Sequence, residues 1–306
     1  MTEAPLTKGT TETAVAAGPR VVPGTRDALG VPAAPAPAPD PGPDPAPDPD
    51  CAGTLQLGWD GAVATLTINR PDRLNALTYA MFARIPVLLA EAGSMDGIRV
   101  LVLRGAGRKS FSAGADISEF GAARTTSEQA AAYDQAVLAA EEALATFPHP
   151  TIAAVHGYCY GGGCGLALAC DVRFASPAAR FAITPAKLGI IYPLRPTKRL
   201  VDLVGPSRAK LILMSGADYD ARTAQSFGLV DEVHDDVDAA VREFTALLAS
   251  RSGVTQRAVK ETVARVLDGA THDDEAHVAL RTAALASPDY AEGVHAFLEH
   301  RPPKFG

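Results

Sequence analysis

Residues 151–172 read TIAAVHGYCYGGGCGLALACDV, and the order of residue types in this stretch decides how the chain folds. Thr151 to Val155 is a short apolar run rich in β-branched residues, the signature of a buried strand. Glycines at 161, 162 and 163 then open onto the apolar segment 164–169, for which the spacing predicts a helix. Although this is the most apolar stretch of the chain, His156 and the glycines at 157, 161 to 163 and 165 interrupt it, which is the wrong make-up for a bilayer span. It reads as protein interior. The glycine run also lacks the Lys-Ser/Thr ending of a phosphate-cradling loop.

Working outward, strand and helix signals alternate on both sides. Leu55 and Leu57, then Val63, Thr65, Thr67 and Asn69 alternating with Ala64, Leu66 and Ile68, predict a hairpin turning at Asp60-Gly61. Residues 78–92 have helical spacing, with Thr78 as N-cap, Gly93 as stop and Pro86 inside. Ile98 to Leu103 reads as a buried strand. An alanine-rich helix is expected from about Ser127 to Phe147, ended by Pro148 and Pro150. After strands at 172–175 and 180–183, the pattern turns helical, with helices expected at 197–204, 207–215, 221–227, 238–251, 255–267, 272–286 and 288–300. The expectation is an α/β core over 53–250 followed by a helical region over 251–306.

Residues 1–52 differ in kind. They hold 12 of the 24 prolines, and Pro32 to Pro49 alternates proline with alanine and aspartate. Such a segment favours polyproline II and buries little, so a disordered tail is expected. It carries seven acidic and three basic residues, and therefore four of the seven net negative charges. The remaining body is close to neutral, which argues against a nucleic-acid-binding surface. Four cysteines without CxxC spacing argue against a disulfide framework and a zinc site, and suit a reduced, cytoplasmic setting. No basic segment followed by an apolar stretch marks an export signal.

Two loops that follow predicted strands offer small residues through which a ligand reaches backbone N–H groups. These are Phe111-Ser112-Ala113-Gly114-Ala115-Asp116-Ile117 and His156-Gly157-Tyr158-Cys159-Tyr160-Gly161-Gly162-Gly163. Glycines ahead of a helix suit an anion or a developing oxyanion, and also plain tight packing. Together with Asn69-Arg70-Pro71, Asn75-Ala76-Leu77 and Ala169-Cys170-Asp171, and with the ending Phe297 to Phe305, these loops resemble the crotonase (enoyl-CoA hydratase/isomerase) superfamily. The resemblance runs from about Thr54 to Phe305.

That resemblance implies a spiral of ββα units, C-terminal helices that assemble a homotrimer or a dimer of trimers, and a coenzyme A thioester as substrate, with no permanently bound cofactor and no metal. It implies backbone N–H groups of Ala113 and Gly162 that hold the thioester oxygen as it becomes an enolate. Arg73, Ala76, Ala113, Ala115, Asp116 and Ile117 fall where relatives contact the coenzyme, and Lys304 where it reaches a neighbouring subunit's coenzyme. A carrier-protein thioester offers the same pantetheine arm. No nucleic acid or membrane partner is implied.

The departures are as informative. At the two positions where hydratases of the family carry acid–base glutamates, this sequence has Gly165 and Pro185. The segment Thr184-Pro185-Ala186-Lys187-Leu188-Gly189-Ile190-Ile191-Tyr192 is similar to methylmalonyl-CoA decarboxylase, where the tyrosine matching Tyr192 is catalytic. The first expectation is therefore a lyase that decarboxylates a malonyl-type thioester, with Thr184 and Tyr192 orienting the substrate or donating a proton. The alternatives are a hydratase or double-bond isomerase with Glu119 or Tyr192 as substitute acid–base groups, and a thioester-binding subunit without turnover.

Overall fold

In a computed structural model the described residues are 54–123 and 125–305; the expected tail at 1–52 lies outside them. The strands are β1 (Thr54–Asp60), β2 (Val63–Asn69), β3 (Val100–Gly105), β4 (Ser110–Ser112), β5 (Thr151–Val155), β6 (Tyr158–Tyr160), β7 (Val172–Ala175), β8 (Arg180–Ala182), β9 (Tyr219–Asp220) and β10 (Glu232–Val233). The helices are α1 (Tyr79–Ser94), α2 (Phe120–Ala123), α3 (Ser127–Ala145), α4 (Gly161–Ala169), α5 (Pro185–Leu188), α6 (Leu194–Ser215), α7 (Ala221–Phe227), α8 (Val237–Ala249), α9 (Gly253–Leu267), α10 (Glu275–Leu285) and α11 (Pro288–Leu298).

The strands form two sheets, ordered β1-β2-β3-β5-β7-β10 and β4-β6-β8-β9. Beyond the antiparallel β1–β2 hairpin, β2, β3, β5 and β7 run parallel. Each turn of the chain places one strand in the first sheet and the next in the second, then returns through a helix, which is the expected ββα spiral. The corner between β5 and β6 is Gly157 at φ +58, packed so tightly that a Cβ would collide with the Lys109 carbonyl. Buried Leu66, Leu101, Leu103 and Phe111 fill the interior together with Phe82 and Ile85 of α1 and Leu144 of α3. Thr78 caps α1 by accepting from the Met81 N–H at 3.2 Å, as expected, but α1 runs through Gly93 to Ser94. The two helices expected on either side of residues 205–206 form α6, broken at Gly205 (φ 77, ψ 162). The expected boundary at 250/251 falls in the link between α8 and α9.

One buried side chain ties the loop after β2 to β4. Asn75 has φ 55, a left-handed conformation that Asn adopts more readily than most residues. Its Nδ2 donates to the carbonyls of Ser110 (2.6 Å) and Ala106 (3.0 Å), and its Oδ1 accepts from the Arg70 N–H at 2.9 Å. The Ser112 hydroxyl donates to the Asn75 carbonyl at 2.8 Å. Asn75→Ala strips partners from buried carbonyls and leaves alanine at positive φ. A loss of about 2–4 kcal/mol in stability, read by urea unfolding, is the expected outcome.

Candidate active site

The loop that Asn75 anchors lies alongside residues 113–116 as an improvised parallel pair. The Leu77 N–H donates to the Gly114 carbonyl and its carbonyl accepts from the Asp116 N–H, both at 2.8 Å. In such a pairing the N–H of the residue between, Ala115, points the other way. The Ala113 N–H is spent on the Leu74 carbonyl at 2.9 Å. This corrects the expectation from sequence: the N–H turned toward Gly162 belongs to Ala115, not Ala113. Gly162 is the second residue of α4, so its N–H has no partner within the helix. The backbones are close, for a Cβ on Gly162 would lie 3.8 Å from the Ala115 nitrogen and one on Gly114 3.2 Å from the Gly162 nitrogen. Neither N–H has an acceptor among the described residues.

Both face a cavity of about 160 Å³. At roughly 30 Å³ per water molecule, this holds a short acyl chain. Phe82, Phe120, Tyr133, Val137, Leu188 and Ile190 supply apolar wall. Thr184 lines the cavity, as does Tyr192, whose hydroxyl is buried without a hydrogen-bond partner among the described residues. Burial, and next the neighbouring Glu141, hold the phenol well above its ordinary range, so it stays protonated.

Sequence reasoning missed Glu141. It lies on α3, 3 % exposed, and lines the cavity. A Cβ built on Gly165 of α4 would fall well inside contact distance of Glu141 Oε1 and 3.7 Å from the Tyr192 hydroxyl. The carboxylate thus fills the hollow left by the absent side chain at 165. Desolvation pushes its pKa up to about 7, opposed by the Arg199 guanidinium on α6, which donates to Oε2 at 3.3 Å. Glu119, the expected substitute, points elsewhere: its carboxylate accepts from the Tyr79 N–H at 2.8 Å and caps α1, where a negative charge meets the positive helix end.

The residues expected at the coenzyme are arranged around Arg70. Its guanidinium donates to the Ala76 carbonyl (2.8 Å) and to the Asp116 carboxylate (3.0 Å), which also accepts from the Ser118 hydroxyl at 2.6 Å. Ser118 first, then Arg70, hold the Asp116 carboxyl below its ordinary range. Arg73 and Ile117 are exposed beside them. Lys304 lies apart, its backbone N–H on Glu292 at 2.7 Å. Among the described residues no three His, Cys, Asp or Glu side chains converge as a metal site, and no helix is long and apolar enough to cross a membrane.

The sequence model of the enoyl-CoA hydratase/isomerase family matches residues 58–306. A probable enoyl-CoA hydratase of Mycobacterium tuberculosis is 33% identical over 255 residues, covering 82% of this chain and 97% of its own. A short-chain-enoyl-CoA hydratase of Clostridium acetobutylicum is 32% identical, covering 79% and 93%. The crystal structure of an enoyl-CoA hydratase/carnithine racemase from Magnetospirillum magneticum superposes with a TM-score of 0.79 at 36% identity, covering 83% and 95%.

The burial of Glu141 makes a linkage prediction. Its pKa is raised in the folded state, so the folded protein binds the proton more tightly than the unfolded chain, and the group's contribution to stability declines as pH rises from about 4.5 to about 7. Relative to Glu141→Gln, the protein is expected to lose up to about 3 kcal/mol across that window, read as the difference between two denaturant series.

Proposed function

The chain belongs to the enoyl-CoA hydratase/isomerase family, and we propose that it is an enoyl-CoA hydratase or double-bond isomerase acting through a thioester enolate. The observation that carries this reading is the unspent pair of N–H groups, Ala115 and Gly162, at the mouth of an apolar cavity. A thioester oxygen seated between them accepts two hydrogen bonds that strengthen as negative charge develops, and each such donor contributes about 3 kcal/mol to the transition state. The acyl chain extends along the apolar wall past Phe82 and Val137. The coenzyme's polar arm follows the loop that Arg70 braces, with Arg73 available to its phosphates. Large apolar side chains exposed on the C-terminal helices, Val263, Val266, Leu285, Phe297 and Leu298, fit the assembly of a homotrimer.

Decarboxylation, the first expectation from sequence, finds less support. Tyr192 is in the cavity as that reading requires, but so is Glu141. A malonyl carboxylate would be driven against a second carboxyl group in a desolvated wall, where like charges repel strongly. The relatives reported above are named hydratases, and the second reading from sequence suits the site better.

Purified protein is expected to hydrate a four-carbon 2-enoyl-CoA or to convert a 3-enoyl-CoA into its 2-enoyl isomer. Replacing the donor by Ala115→Pro should lower kcat/KM by about 10²- to 10³-fold without a comparable loss of Tm. Inertness toward both enoyl thioesters, with carbon dioxide released from malonyl-CoA or methylmalonyl-CoA, would overturn the assignment.

A further inference from the structure

We propose that Glu141 is the proton-transferring group of this cavity, reaching from α3 into the space that the family's glutamate, absent at Gly165, would occupy from α4. The inference rests on the thioester reading above and supplies the acid–base residue that reading lacks. Gly165 and Glu141 form a mutually exclusive pair, because any side chain at 165 would begin where Oε1 now lies. Gly165 is one helical turn beyond Gly162, about 5 Å along α4, so the carboxylate stands beside the site where the thioester's carbons lie when its oxygen meets the two N–H groups.

Beyond a long ion pair with Arg199, the packing gives little reason to keep a carboxylate there. Glu141 is buried, and among the described residues the one hydrogen bond its carboxylate accepts, from Arg199, is long at 3.3 Å. Across the same hollow the Tyr192 hydroxyl is buried and unpartnered among the described residues. Two polar groups with unused bonding capacity thus border one hollow next to two unused backbone donors. Such a concentration is expected of a reaction site and is costly anywhere else.

A single carboxylate completes either reaction. In isomerisation the ionised Glu141 takes a proton from C2 of a 3-enoyl thioester, and the C–H electron pair moves into the carbonyl, placing charge on the oxygen between Ala115 and Gly162. The carboxylic acid then returns the proton to C4, and the pair flows back to leave a C2–C3 double bond. In hydration Glu141 takes a proton from water as the water oxygen bonds C3, then delivers it to C2 of the resulting enolate. The groups facing it are Arg199 from α6, Tyr192 ahead of α6, Cys164 of α4 beside Tyr192, and Asp134 and Glu142 of α3 itself. With its pKa near 7, the carboxyl exists in both forms around neutrality, which suits a group that must take and give.

The test uses α-proton exchange, which needs the base and the oxyanion donors but no double bond. Incubated in deuterated water, the full chain is expected to place deuterium at C2 of butyryl-CoA, detected by mass spectrometry. In E141Q that exchange should fall at least 100-fold while the Kd for butyryl-CoA, measured by calorimetry, stays within threefold. The swap E141A/G165E should recover at least tenfold over E141A, which a packing role for Glu141 does not produce. Exchange by E141Q within threefold of the unaltered protein, no exchange by the unaltered protein, or loss of exchange and binding together would each overturn the proposal. An unaltered protein that exchanges butyryl-CoA yet neither hydrates nor isomerises enoyl thioesters would remove the enoyl reading and keep Glu141 as the base.

Discussion

The site depends on one backbone pairing, in which Leu77 bonds to Gly114 and Asp116 and skips Ala115. A parallel pair spends the N–H and carbonyl of one residue on the two neighbours of its partner, so the partner's own N–H is turned away unspent. Opposite it, Gly162 has an unspent N–H because it opens a helix. Neither donor is a side chain, and both are held by secondary structure rather than by a specific residue type. What must be specific lies behind them. Asn75 at φ 55 fixes the Leu77 segment against Ser110, and Gly114 lets the 113–116 loop come within contact of the α4 terminus.

The second constraint is electrostatic. A carboxylate in an apolar cavity is disfavoured by desolvation, and Glu141 has a pKa near 7 for that reason. Arg199 limits the shift without abolishing it, because its guanidinium is divided between Glu141 and, at 3.8 Å, Glu142. Arg195 engages Glu142 from outside as well. A closer, undivided Arg199–Glu141 pair would make the ionised form more stable and the carboxylate a weaker base. The long bond and the shared cation belong to the tuning of the site, and the stability forgone is of the kind that active sites routinely sacrifice.

Much of the fold was legible because its signals are local. The β1–β2 alternation, the Thr78 cap and the glycines that open α4 each act within a few residues, and the structure follows them. In the first glycine-flanked loop, the free N–H lies two residues from the one expected. Ala113 and Ala115 are both small residues flanking one glycine, and only pairing with Leu77, far off in sequence, decides which N–H is free. Glu119 misled because its carboxylate caps a helix that begins 40 residues earlier. Glu141 gave almost no local sign, standing beside Glu142 in an alanine-rich helix that reads as a solvated face. The available signal was Gly165 itself, since a glycine inside an apolar helix costs about 1 kcal/mol relative to alanine and implies that something else needs the space.

That signal changes what a missing catalytic residue means. Chemistry requires a proton acceptor at a point in space, and helices packed side by side offer more than one backbone from which to reach it. A glycine on α4 and a glutamate on α3 satisfy the requirement together, and neither is intelligible alone. Pro185, by contrast, has no such compensation among the carboxylates placed here, since Glu119 is occupied at α1. The protonated Tyr192 phenol can donate at neutral pH but is a poor acceptor. One buried carboxylate must therefore both take and return the proton, which favours reactions that pass a single proton between two atoms on the same face of the substrate and disfavours those that need an acid and a base at once.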